Sequence, residues 1–351
     1  MYNLMSGRLI CMSLSMELAE ATYKLASEVM RIKKGESVLI VADTASDERI
    51  VKATADACAI LGAKAAVMWF ETNPEVTMDP PEPVIAAMNN TDVMIEYCVN
   101  YLNYSKAYDE MMKKGRVRYI CLTGMKVESI VRTIGKVNVP VVIELGDRLV
   151  ELTRKADKVR ITTSAGTDIT GHNRGRPVSQ PGGIAEKPGP YMLCGQVAWN
   201  PVEETINGVI AVDGWEWNVG IIQTPIQVKV ENGRIVDIKG GWEAKRFATW
   251  LAGFNDANVY RLAHYSYGFN PGMSKLTGLQ NDDERLFGSL TFGFGTKGAL
   301  IGGPGWMAAA HTDCGILNPS VYLDDVAIEL DGKYVHPDLV RLAKKLDVPG
   351  Y

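Results

Sequence analysis

Histidine is the scarcest chemical resource of this 351-residue chain: only His172, His264, His311 and His336 occur. Any metal or acid–base scheme built on imidazole must draw on these four, which makes the search short. Other absences narrow it further. No long run of Lys or Arg stands out and the formal net charge is -4, which argues against an electrostatic grip on nucleic acid or anionic lipid. No window reaches the length of a membrane span, and the first residues lack a charged region followed by a sustained apolar stretch, so the protein is expected in the cytoplasm. Cys11, Cys58, Cys98, Cys121, Cys194 and Cys314 form no C-x-x-C pair. Several sit in apolar runs such as Tyr119-Ile120-Cys121-Leu122, a pattern that predicts buried free thiols. Walker A, H-E-x-x-H and G-x-S-x-G signatures are absent, as are internal repeats and low-complexity linkers.

What is present is ample apolar material, 46% of the chain against 22% charged, enough for two buried cores. Residues 1–155 read as an α/β domain with an open parallel sheet. Ser37 to Asp43 (SVLIVAD) is a compact, β-branched apolar run followed by an amphipathic stretch from Asp47 to Leu61. Ile50, Val51, Ala57, Cys58 and Leu61 share one helical face there, with Thr54 as its polar member. Lys64 to Phe70, Asp92 to Cys98 and Val117 to Leu122 repeat the strand pattern, and Val141 to Leu145 is expected to add another. Residues 156–351 read as an α+β, metal-binding catalytic domain with largely antiparallel strands. Val159 to Thr163, Val209 to Val212 and Ile226 to Val230 are its strand-like runs. Asn232-Gly233 between apolar runs signals a hairpin, and Trp242 to Leu251 a helix.

Of the four histidines, His311 has a partner in sequence: in Ala310-His311-Thr312-Asp313-Cys314, positions i and i+2 of an extended segment put imidazole and carboxylate on one face. Thr312 and Cys314 then face the other way. A simple His–Asp hydrogen bond on a strand surface satisfies the same pattern. His264, in Arg261-Leu262-Ala263-His264-Tyr265-Ser266-Tyr267-Gly268-Phe269-Asn270-Pro271, would complete two imidazoles and one carboxylate. That set occupies one face of an octahedral ion and leaves three positions open, as in non-haem iron(II) oxygenases; three-ligand zinc hydrolases use similar residues. Gly293 to Gly298 matches G-x-G-x-x-G but lies far from the first βαβ unit, so a tight, flexible loop near His311 is expected rather than a dinucleotide site. Glu203-Glu204 reads as a solvated acidic turn, and Asp282-Asp283-Glu284 as a solvated charge cluster. His172 reads as exposed or substrate-facing, and His336 has no convergent partner.

Together these segments resemble the 2,5-dihydroxypyridine 5,6-dioxygenase family, which shares its fold with metallo-aminopeptidases of the aminopeptidase T type. The resemblance runs through Gly35 to Phe70, Gly166-Thr167-Asp168, Asn200-Pro201-Val202-Glu203-Glu204, Asn232 to Val236, His264 to Pro271 and His311-Thr312-Asp313. It implies an aminopeptidase T-like fold, a homo-oligomer, and a single iron(II) held by His264, His311 and Asp313. The expected reaction takes a small aromatic substrate and dioxygen, opening a hydroxylated pyridine such as 2,5-dihydroxypyridine to N-formylmaleamate. The aminopeptidases place Glu where His264 stands and His where Thr291 stands, so a two-metal hydrolase loses its ligands here; a one-zinc hydrolase is the alternative. Glu204, matching a metal-binding Glu of the aminopeptidases, is expected as a spare acid–base or orienting carboxylate. The pocket-facing loop of the first domain carries no histidine here, and Leu102, Asn103 and Tyr104 are what it offers to a ring. A non-catalytic small-molecule binder is the third reading.

Overall fold

The computed structural model describes residues 14–73, 78–298 and 301–351. The chain divides into two compact units, Met1–Val139 with Gly182–Cys194, and Pro140–Pro181 with Gly195–Tyr351. The first unit holds a five-stranded parallel sheet in the order Lys64–Phe70, Ser37–Asp43, Val93–Glu96, Arg118–Cys121, Gly189–Met192. The strand Ser37–Asp43 has no polar alternation because both its faces are covered: Val38 to Asp43 are all buried. The helix Glu48–Ile60 starts where Asp47 accepts a hydrogen bond from the Arg49 amide, and it buries Ile50, Val51, Thr54, Ala57 and Cys58. Thr54, the polar residue on that face, is satisfied by the Tyr97 hydroxyl at 2.8 Å. The division differs from a single cut at residue 155. Gly189–Met192 adds the fifth strand beside Arg118–Cys121, so the chain returns to the first unit after entering the second.

Val141 to Leu145 is not a strand. It belongs to the helix Val139–Lys155, in which Val142, Leu145, Gly146, Leu149 and Thr153 are buried. That spacing is helical, and Pro140 sits in the first turn, where a missing N–H is tolerated. The five β-branched-rich residues form too short a window to show the period.

The second unit carries two antiparallel sheets. One has eight strands, in the order Arg234–Lys239, Ile226–Glu231, Asn207–Val212, Asp168–His172, Lys158–Thr162, Ser320–Leu323, Val326–Leu330, Lys333–Tyr334. The other has seven, in the order Gly220–Ile221, Trp215–Glu216, Trp306–Leu317, Ser289–Lys297, Leu262–Gly268, Gln196–Trp199, Val178–Ser179. The hairpin at Asn232-Gly233 forms as expected, with φ of 49° and 70° at the two turn residues, the left-handed pair a two-residue hairpin needs. Cys58, Cys98, Cys121, Cys194 and Cys314 are buried and in no disulfide; Cys11 lies outside the described residues. Among the described residues no helix is long and apolar enough to cross a membrane.

Candidate metal centre

Three neighbouring strands of the seven-stranded sheet build the site. Leu262–Gly268, wholly buried, carries His264; Trp306–Leu317 carries His311 and Asp313; Ser289–Lys297 runs between them. The register places His264 opposite Gly293 and Gly293 opposite Asp313, while Gly295 lies opposite His311. Directly paired residues share a face, so the triad lies on one side of the sheet. His264 must still reach across a whole strand, and it does so through the space a side chain would take. A Cβ on Gly293 would come within 2.2 Å of His264 Nε2.

The converged atoms are His264 Nε2 and Asp313 Oδ1, 3.1 Å apart, and His311 Nε2 and Asp313 Oδ2, 3.3 Å apart. The two imidazoles stack with centroids 5.4 Å apart at 19°. One ligand atom from each residue lies within 4.8 Å of the others. Adjacent ligands about 2.1 Å from one ion stand roughly 3 Å apart, close to the separations of both Nε2 atoms from the carboxylate. His311 Nδ1 lies 2.8 Å from the Thr296 carbonyl. A carbonyl only accepts, so Nδ1 carries the proton and Nε2 presents its lone pair inward. Burial opposes ionisation of Asp313, but His311 and His264 outweigh it and hold the carboxyl below its ordinary value. Burial also works against a charge on His311, yet Asp313 raises its pKa overall. Asp313 Oδ1 and His264 Nδ1 are buried without a hydrogen-bond partner among the described residues. A buried oxygen with negative charge and no donor is expensive unless a cation meets it, so the donor set fits a metal ion.

Behind the triad stands a support that sequence reasoning missed. Gln280 Nε2 donates to Asp313 Oδ2 at 2.8 Å and to Glu284 Oε1 at 2.7 Å. Glu284 Oε2 in turn accepts from Gln196 and Arg285. Asp282, Asp283 and Glu284 are therefore buried rather than a solvated cluster. Asp283 is satisfied by the amides of Thr277 and Gly278 at 2.7 and 2.9 Å, donors that a count of local charge does not reveal. Likewise Gly293 to Lys297 is strand, not loop. Its glycines answer to close neighbours, Gly293 to the His264 ring and Gly295 (φ +97°) to the Ala310 carbonyl. Thr312 does face away from the triad, donating to Glu216 Oε1 at 2.6 Å, and the Cys314 thiol is pushed well up by burial.

The other expected site residues are placed elsewhere. Glu204 is exposed on the short turn Glu203–Thr205, and it makes no hydrogen bond with the triad. Glu203 is the buried one, paired with Arg176 at 2.6 Å and Lys297 at 3.3 Å. Leu102, Asn103 and Tyr104 form a single 3-10 turn in the first unit, held by the Leu102 amide on Glu96 Oε1 at 2.9 Å. Burial pushes the Glu96 carboxyl up to about 7 against the hydrogen bonds of Tyr119, Leu102 and Thr123. His172 is half-buried and bonded to Asp157 at 2.8 Å, while His336 caps the helix Pro337–Lys345.

Comparison with known proteins identifies the lineage. The model of the 2,5-dihydroxypyridine 5,6-dioxygenase (NicX) family matches residues 19–336. The chain belongs to that family. A curated 2,5-dihydroxypyridine 5,6-dioxygenase from Pseudomonas putida is 27% identical over 208 residues, 54% of this chain. The match spans only 57% of that relative's length. The solved 2,5-dihydroxypyridine dioxygenase of Pseudomonas putida KT2440 superposes with a TM-score of 0.76 at 21% identity, covering 93% of this chain and 98% of its own. Wild-type AmpT from Thermus thermophilus gives 0.71 at 14% identity, covering 92% and 100%. Both structures share the fold, a parallel sheet in one unit and antiparallel sheets in the other, as the family resemblance implied.

Proposed function

We propose that the chain is an iron(II)-dependent dioxygenase that uses dioxygen to open a hydroxylated pyridine ring such as 2,5-dihydroxypyridine, which would give N-formylmaleamate. The observation that carries this reading is the convergence of two imidazoles and one carboxylate on one sheet face, with Asp313 Oδ1 buried and undonated. His264, His311 and Asp313 would hold the ion; when bound, it supplies a common site where an electron-rich ring and dioxygen meet. The protein's share is orientation. Thr296 fixes the His311 tautomer, Gln280 fixes the carboxylate plane, and Gly293 leaves room for the His264 ring. Leu102, Asn103 and Tyr104 lie in the first unit, where Leu102 is buried in the core, and no contact with the ring is assigned to them. Glu204 is not carried into this scheme, because its carboxylate is exposed. A cytoplasmic homo-oligomer accords with the family resemblance.

Protein reconstituted anaerobically with iron(II) should take up one O2 per ring lost when 2,5-dihydroxypyridine is added. Retained iron with no uptake would reject this substrate. Asp313→Ala and His264→Ala should each lower retained iron to about a tenth or less, and unchanged iron content would reject the triad as the metal site.

A further inference from the structure

Immediately before the strand that carries His264 stands Arg261, a charge that the ring-opening scheme does not use. The Gly295 amide donates to the Arg261 carbonyl at 2.9 Å, and Gly295 pairs with His311 on its other side. Arg261, Gly295 and His311 thus form one row across three strands. Residues in one row share a face, so Arg261 points to the triad's side, two strand spacings or roughly 10 Å from His311 along the row.

Its guanidinium is fixed there. Arg261 Cζ lies 3.7 Å from the centre of the Trp306 ring, and the indole is pinned by Trp306 Nε1 donating to the Gly295 carbonyl at 2.7 Å. Stacking holds the plane of an Arg while leaving its edge N–H groups free to meet a planar anion. Among the described residues no carboxylate comes within ion-pair distance of Arg261. Beside it, Lys297 Nζ, its side chain wholly buried, is 5.2 Å from the same indole, and Arg176 stands with it on Glu203. Arg176 and Lys297 therefore share one buried carboxylate. Burial and the charge of Arg234 hold the Arg261 guanidinium below its ordinary value, against the charges of Glu203 and Glu204. An anion brought to Arg261 would relieve that imbalance.

We propose that Arg261 is an anion-recognising residue of the triad's face, and that the ring this protein takes carries a carboxylate. The inference rests on the ring-opening reading for the nature of the ligand, but not for the subsite. Arg261 on its Trp306 platform grips the carboxylate edge-on, and the ring then lies along the row toward His311. The bare 2,5-dihydroxypyridine ring leaves this guanidinium without a partner.

The test is binding without turnover. Iron(II)-loaded protein is titrated anaerobically by calorimetry with 6-hydroxypyridine-3-carboxylate and with its uncharged carboxamide, for the native chain, Arg261→Gln and Arg261→Lys. A charge-assisted hydrogen-bonded pair predicts that the native protein prefers the carboxylate by about ten-fold or more. Arg261→Gln should bring the two ligands level, and Arg261→Lys should keep part of the preference. Equal affinities in the native protein, binding of neither ligand, or a preference that survives Arg261→Gln would each overturn the proposal. Oxygen uptake is scored separately: a carboxylate preference without ring opening would reject the reaction and leave the subsite standing.

Discussion

Gly293→Ala is expected to lower iron(II) affinity about 100-fold or more while leaving the protein folded. The glycine lies in mid-strand, opposite both His264 and Asp313, and its φ is not in the left-handed region, so its backbone accepts alanine. The obstacle is the imidazole alone. The new methyl group would come 2.2 Å from His264 Nε2, 2.4 Å from Cδ2 and 2.8 Å from Cε1. A ring held by a wholly buried strand can escape only by turning away, which takes Nε2 from Asp313. Overpacking of this kind costs about 1–3 kcal/mol in stability. The effect on the metal is larger because a ligand is lost, where displacing a mere supporting partner already costs 10- to 100-fold. Gly298→Ala is the control, since a Cβ there meets nothing within 4 Å, and it should leave affinity unchanged. Anaerobic iron titration against a competing chelator reads both variants. Native affinity in Gly293→Ala would show that His264 does not reach the site across that glycine.

That glycine also marks where sequence reading stops. Features written in adjacent residues were legible: the strand at SVLIVAD, the hairpin at Asn232-Gly233, and the shared face of His311 and Asp313 two residues apart in a strand. Each follows from a local period or a local backbone preference. The features that escaped depend on residues far apart in the chain. Nothing in Gly293-Phe294-Gly295 says that one glycine makes room for an imidazole on the next strand, and the motif reads as a loop. Gln280 bonds a carboxylate 33 positions away, and Trp306 stacks on an arginine at 261. Asp282-Asp283-Glu284 misleads because carboxylates in a row look solvated, whereas Thr277, Gly278, Gln280, Gln196 and Arg285 supply donors that let them be buried. Glu204 and Glu203 show the same limit at its narrowest. They are identical in type and adjacent in sequence, yet only Glu203 turns inward, onto Arg176 and Lys297.

Glu329→Gln is expected to make the protein more stable at pH 8 and to remove a pH dependence that the native chain carries. Glu329 lies in the strand Val326–Leu330, opposite Val321 on one side and Tyr334 on the other. Its side chain is buried and Oε1 has no hydrogen-bond partner among the described residues; the neighbouring Tyr334 hydroxyl is unpartnered too. Burial alone pushes this carboxyl from an ordinary 4.5 up to about 8. The folded protein therefore keeps the proton at neutral pH, while the unfolded chain releases it. Stability contributed by this group is fully present below about pH 4.5 and is lost steadily as pH rises to about 8. At roughly 1.4 kcal/mol per pH unit the loss approaches about 4 kcal/mol at pH 8. Glutamine has nearly the same volume and no proton to lose, so the variant's unfolding free energy should run flatter than the native one. Urea unfolding of both proteins at pH 5.5 and pH 8 measures the difference, and their other titrating groups cancel in the comparison. Parallel pH slopes would mean that Glu329 is charged in the folded protein, which would require a cationic or hydrogen-bonding partner for a carboxylate whose neighbours include Tyr267, Tyr334 and Tyr351.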